Sequence, residues 1–103
     1  MLAPLRSQVY RVDLGYGAKP WLVVSNNQRN HNLDSVIAAR ITTTSKNARL
    51  PTVVPLATSD PLTGYVLCDD LVPLYRDEFA DLLGTLTRTT MQAVSAGLRV
   101  ALP

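Results

Sequence analysis

Lys19 follows the loop Gly15-Tyr16-Gly17-Ala18 and directly precedes Pro20 and the apolar run Trp21 to Val24. Glycines at 15 and 17 let that loop turn tightly or lie against a ligand, and Pro20 fixes the start of a strand, so one cation is held at the lip of a rigid element. A lysine that only decorates a hairpin is the alternative. Further along, Arg40 and Thr42 alternate on one face of a second apolar strand. Little other chemistry is available. His31 is the one histidine, so no Ser/His/Asp arrangement can form, and His, Cys, Asp and Glu are nowhere spaced as metal ligands. Asp69 and Asp70 are adjacent, and on a strand their side chains point to opposite faces rather than at one ion. RNA is a substrate that needs no protein nucleophile, because its own 2′-hydroxyl can attack the neighbouring phosphate. A site for it must move protons and stabilise the charge that develops on the phosphoryl oxygens.

The elements that position these residues can be read from periodicity. Gln8 to Leu14 alternates as a half-buried strand, with Tyr10, Val12 and Leu14 on one face, and forms a hairpin with the Trp21 strand. Asn26 to Asn32 is rich in turn-forming residues and reads as a loop; Val36 to Thr42 and Pro51 to Ala57 read as strands. Tyr65 to Cys68 continues the β pattern, Leu71 to Tyr75 gives a short strand, and the spacing of Phe79, Leu82 and Leu83 predicts helical turns over Arg76 to Leu83, closed by Gly84. Thr87 is placed to cap a terminal helix whose apolar stripe is Met91, Val94, Leu98 and Leu102. The expected class is mainly β with α, a small, strongly bent sheet or barrel with helices covering one side.

Composition sets the frame. The 103 residues are enough for one domain, spanning 1–103, and the 47% apolar and 17% charged content is that of an ordinary globular protein. No apolar run reaches membrane-spanning length and no signal-peptide pattern opens the chain, so a cytoplasmic location is expected. The lone Cys68, in an apolar strand, reads as an inert core residue. Charge is segregated: residues 1–50 carry seven basic and two acidic groups, a net +5, while the remainder carries three basic and six acidic, a net −3. A basic amino-terminal half suits a phosphate-bearing partner, unless folding disperses it.

Across nearly its whole length the chain resembles the MazF/PemK family of toxin ribonucleases. The resemblance rests on Arg6 at the first strand, Val9-Tyr10-Arg11-Val12-Asp13-Leu14, the loop ending in a basic residue and Pro20, and Leu22-Val23-Val24-Ser25-Asn26 followed by Asn30. Ile41-Thr42, Leu50-Pro51-Thr52, Leu83-Gly84, Leu86 and Met91 continue it in order. Three positions depart from the usual pattern: Ser7 replaces a glycine, Lys19 replaces an arginine, and Asp70 stands where many members carry glutamine. The resemblance implies an SH3-like, CcdB-type barrel with a short helix and a C-terminal helix, acting as a homodimer. It implies sequence-selective cleavage of single-stranded RNA (mRNA, tRNA or rRNA) with no metal or other cofactor. The implied partner is a MazE-like antitoxin whose acidic tail occupies the RNA groove, with DNA contacted only through that antitoxin and no membrane involved.

On this reading Lys19 and Thr42 are the catalytic pair. Thr42 would hydrogen-bond a phosphoryl oxygen and Lys19 would neutralise its charge. Lysine lacks the two-pronged phosphate geometry of arginine, and Arg40, reached from the strand alternation rather than the family pattern, can restore that fork or serve a surface role. Arg6, Tyr16, Arg29, Asn30 and Arg40 are the candidate RNA contacts; Tyr16 can stack on a base or pack in its own loop. His31 reads more simply as a solvated loop residue than as an acid or base. A non-catalytic barrel that binds nucleic acid or a protein target, as CcdB-type gyrase poisons do, is the competing reading, and fold alone does not choose between them.

Overall fold

A computed structural model describes residues 3–102 and shows six antiparallel strands and two helices. β1 (Gln8–Asp13), β2 (Ala18–Val23) and α1 (Asn27–Asn32) precede β3 (Ser35–Thr42), β4 (Val53–Pro55) and the long β5 (Tyr65–Tyr75). A 3₁₀ turn at Arg76–Glu78 then leads into β6 (Phe79–Thr85) and α2 (Arg88–Ala101). In space the strands run β4-β5-β3-β2-β1-β6. β4 and β6 are therefore the two edges. They do not pair with each other, so the expected barrel is in fact an open, curled sheet. No helix among the described residues is long and apolar enough to cross a membrane.

Both faces of the sheet carry apolar residues. Val9, Leu22, Ala39, Ile41, Val54 and Val66 form one cluster, covered by Met91 and Val94 of α2. Val12, Trp21, Val23, Val36, Leu74 and Phe79 form the other. Leu22 thus faces one cluster while its neighbours Trp21 and Val23 face the second, which is why the run Trp21 to Val24 is apolar at every position. Burying each such side chain contributes about 1.5 to 3 kcal/mol. Cys68 is buried and unpaired as expected; burial, and then the charge of Asp69, push its thiol pKa up to about 11.

The structure corrects several sequence expectations. Asn26 to Asn32 is not a loop: Asn26 caps α1 by accepting from the Arg29 N–H at 2.8 Å, and the Arg76 guanidinium donates to the carbonyls of Asn30, His31 and Leu33 at the other end. A six-residue helix is unstable alone, and these tertiary bonds hold it. Arg76 to Leu83 is not helical beyond its 3₁₀ turn, because Phe79 onward pairs with β1. Two register slips along that pairing set Phe79, Leu82 and Gly84 opposite Val12, Tyr10 and Val9, which mimics helical spacing. The two short strands after Tyr65 are one strand, interrupted by a bulge. In α2, Thr87 caps as expected and Leu102 departs from the apolar stripe, being 63% exposed.

Candidate RNA-binding and catalytic site

The β2–β3 ladder builds the site. Trp21 pairs with Arg40, Leu22 with Ala39 and Val23 with Ala38; continued two residues, that register sets Lys19 against Thr42. Alternation puts Lys19, Trp21, Arg40 and Thr42 on a common face. Lys19, Arg40 and Thr42 line one cleft of about 450 Å³, completed by Pro20 of β2 and by Leu62 and Thr63 from the loop before β5. That loop lies close to the end of β3 because of Gly64: at φ +130°, a Cβ on it would collide with the Thr42 carbonyl.

The Thr42 hydroxyl is oriented by one hydrogen bond. Its Oγ1 accepts the backbone N–H of Thr44 at 3.2 Å, which uses an oxygen lone pair and leaves the hydroxyl proton free to donate. Lys19 is exposed and Arg40 partly so, and both extend from strands fixed by the buried Trp21 between the two apolar clusters. Two cations and one hydroxyl donor on rigid elements can bind a phosphodiester and stabilise added negative charge on it.

A second cleft, of about 250 Å³, shares Lys19 and Arg40 with the first and is otherwise lined by Val12, Tyr16, Trp21 and Asp70 among others. Tyr16, 88% exposed, stands at its rim on the β1–β2 loop, where Gly15 (φ +103°) and Gly17 (φ +89°) take the left-handed turn their residue type permits. Asp70 reaches this cleft through the bulge in β5. Arg40 pairs with Leu67 and Ala39 with Leu71, so Cys68, Asp69 and Asp70 are extra residues opposite two neighbouring ones. Asp69 is turned to Thr52, whose hydroxyl donates to it at 2.5 Å, while Asp70 comes within 4.0 Å of Arg40. The two carboxylates do not converge, and no group of three or more metal-binding side chains exists among the described residues.

Other candidate residues lie elsewhere. The Arg6 guanidinium donates to the Val24 carbonyl at 3.3 Å and to Ser95 Oγ at 2.8 Å, tying the residue after β2 to α2 outside both clefts. Arg29 donates to the Ser35 carbonyl at 2.8 Å. Asn30 is fully buried; its amide donates to the Ser25 carbonyl at 3.0 Å and its Oδ1 accepts from Ser25 Oγ at 2.5 Å. A buried amide so engaged holds α1 to the sheet and presents nothing to a nucleic acid. His31 is exposed on α1 and borders neither cleft. The basic amino-terminal half therefore does not fold into a single basic face: Lys19 and Arg40 reach the clefts, while Arg6 and Arg29 brace the fold. Trp21 and Asp70 also line the second cleft, and neither is among the residues the sequence pattern assigned to the site. Trp21 was legible as the same-face neighbour of Lys19, whereas Asp70 depends on a bulge that periodicity cannot reveal.

The model of the PemK-like, MazF-like toxin of type II toxin–antitoxin systems matches residues 5–102. The chain is 54% identical to endoribonuclease MazF4 of Mycobacterium tuberculosis (strain ATCC 25618 / H37Rv), over 99% of this chain and 95% of that protein. Endoribonuclease MazF1 of Mycobacterium bovis matches with the same identity and coverage. Among solved structures, an endoribonuclease in complex with its cognate antitoxin, from a mycobacterial species, superposes with a TM-score of 0.92 at 53% identity, covering 98% of each chain. A MazE–MazF structure from Deinococcus radiodurans shares the fold at a TM-score of 0.83 and 23% identity, covering 99% of this chain and 97% of that one.

Proposed function

The chain belongs to the PemK-like, MazF-like family of type II toxin–antitoxin toxins and is an endoribonuclease, and we propose that it cleaves single-stranded RNA selectively and without a metal ion at the cleft of Lys19, Arg40 and Thr42. The convergence of those three side chains in one cleft carries the proposal. The substrate's 2′-oxygen attacks the adjacent phosphorus, the bond to the 5′-oxygen breaks, and the proton lost by the 2′-hydroxyl is balanced by one gained at the leaving oxygen. The products are a 2′,3′-cyclic phosphate and a 5′-hydroxyl. Lys19 and Arg40 neutralise the phosphoryl oxygens as charge builds, and the Thr42 hydroxyl donates to one of them. Lys19, being exposed, serves as a charge, and the planar Arg40 supplies the fork that lysine lacks.

The protein partner in this reading is a MazE-like antitoxin; the mycobacterial relative was solved in complex with its cognate antitoxin. Its acidic segment competes with RNA for the cleft, the toxin acts as a homodimer, and both partners meet it in the cytoplasm. Incubating the purified protein with mixed cellular RNA in EDTA and sequencing the new ends tests the chemistry. New 5′-hydroxyl ends at recurring sites, absent with Thr42→Ala, are expected. Intact RNA, or 5′-phosphate ends, would refute the mechanism. Light scattering that gave the mass of one chain at micromolar concentration would remove the dimer.

A further inference from the structure

The geometry points to the 250 Å³ cleft beside the phosphate site as a pocket for a single guanine base, with Asp70 and Arg40 reading its Watson–Crick edge. The inference rests on the proposed RNA function and goes on to name the base. The cleft is smaller than the roughly 300 to 1,000 Å³ typical of pockets for drug-sized ligands, which suits one flat ring system. Its lining is apolar or aromatic, with Trp21 and Val12 buried and Leu14 and Tyr16 exposed, and an exposed aromatic ring such as that of Tyr16 stacks bases. Lys19 and Arg40 also line the adjoining phosphate cleft, so the base would belong to a nucleotide flanking the scissile bond.

The polar end of the cleft is unsatisfied in a specific way. Arg40 Nη1 and Asp70 Oδ2 stand 4.0 Å apart, well beyond the ~2.8 Å of a charge-assisted hydrogen bond. Neither side chain has a hydrogen-bond partner among the described residues, and the Nε of Arg40 and the Nε1 of the 94%-buried Trp21 are both inaccessible and unpartnered. Unmade bonds of this kind are unusual in a folded chain; two of the three among the described residues belong to side chains that line this cleft, the third being Arg76 Nε elsewhere. An ionised carboxylate offers two acceptors and no donor. Guanine alone presents two adjacent donors, N1–H and the N2 amino group, with the acceptor O6 beside them for a guanidinium. Adenine and cytosine set a ring-nitrogen acceptor next to their amino group, and uracil flanks its N–H with two carbonyls, so each would point a lone pair at Asp70. The carboxylate rejects those bases as well as accepting guanine.

Trp21 is the only tryptophan of the chain, so its fluorescence reports directly on the pocket. The test is titration of wild type, Asp70→Asn and Asp70→Ala with 2′-deoxy pentanucleotides that differ only in their central base and lack the attacking hydroxyl. Guanine should quench Trp21 and bind at least about tenfold more tightly than the other three. Asp70→Asn, which offers one donor and one acceptor, should narrow that margin and favour adenine, and Asp70→Ala should abolish it while circular dichroism stays unchanged. Equal binding of all four bases by the wild type overturns the pocket whatever the variants do, as does a guanine preference that survives Asp70→Asn. The matching ribo-oligonucleotides separate the two readings. Guanine-selective binding with intact RNA would sink the nuclease mechanism alone; cleavage without base selection would sink the pocket alone.

Discussion

Trp21 pairs with Arg40 across the β2–β3 ladder, and the indole is buried while the guanidinium borders two clefts. An apolar residue thus fixes the strand that presents the charge. Lys19 and Thr42, each two residues further along the same strands, share that support, which is the rigidity a phosphate site requires.

Thr42→Ala and Lys19→Ala should each lower the cleavage rate on the order of 10²-fold, the usual cost of losing one contact to developing charge. Melting temperatures should stay unchanged, since both side chains are at least partly exposed. Lys19→Arg should retain or raise the rate, because an exposed cation acts here by charge. Single-turnover cleavage of a fixed RNA measures all three, and near-normal rates in the two alanine variants would dismiss the assignment.

Arg40→Ala should weaken RNA binding and flatten its salt dependence. Removing one phosphate-neutralising cation reduces the slope of log K against log salt by about 1. An unchanged slope would show that Arg40 never meets a phosphate and acts only on Asp70.

Arg6→Ala and Asn30→Ala should destabilise the fold by about 1 to 3 kcal/mol, since each strands polar groups that are partly or fully buried, the Ser25 carbonyl among them. The folded fraction should still discriminate among RNA sequences as the wild type does. Urea titration gives the first quantity and cleavage-site sequencing the second; lost discrimination at full stability would return these residues to the RNA surface.

Asp60 governs acid stability. Its carboxylate is buried, which raises its pKa. Bonds from the Thr87 N–H (2.8 Å), the Thr90 hydroxyl (2.5 Å) and the Ala57 N–H (2.7 Å) outweigh that, so the net shift is below the ordinary 3.8. The folded state therefore holds this proton less tightly than the unfolded one. Its stabilisation is complete above the unfolded pKa and is lost as pH falls through the folded value. Urea midpoints should drop as pH is lowered from about 5, and Asp60→Asn should be less stable at neutral pH with a shallower acid dependence. Parallel pH curves for the two proteins would contradict this.

Gly97→Ala sets two effects against each other. Alanine favours a helix over glycine by about 1 kcal/mol. A Cβ here, however, would lie 2.9 Å from Cys68 Sγ, 3.3 Å from Val54 Cγ2 and 3.4 Å from the Pro51 carbonyl, where α2 meets β4 and β5. Overpacking costs about 1 to 3 kcal/mol, so a net loss is expected. Adding Cys68→Ala should relieve part of it, a coupling that a double-mutant cycle in urea would measure.

Some of this protein was decided by sequence alone. The unbroken apolar run Trp21 to Val24 specified a strand buried on both faces, and Thr87 before a Met91–Val94 stripe specified a capped terminal helix, because these signals are local and share one period. The alternation of Arg40 with Thr42, and the place of Lys19 before the buried strand, likewise pointed to side chains that line one cleft. Tertiary structure decided the rest. α1 exists because Arg76, more than forty residues away, supplies its final hydrogen bonds, and β6 is a strand because pairing with β1 overrides a helical spacing created by two bulges. Arg6, Arg29 and Asn30 looked like an RNA surface by residue type, yet the carbonyls and hydroxyl that occupy them come from other elements. Asp70 joins Arg40 only through a bulge of three residues in β5. Charge and periodicity are properties of neighbours along the chain, whereas a side chain's partner is set by register and bulges between strands.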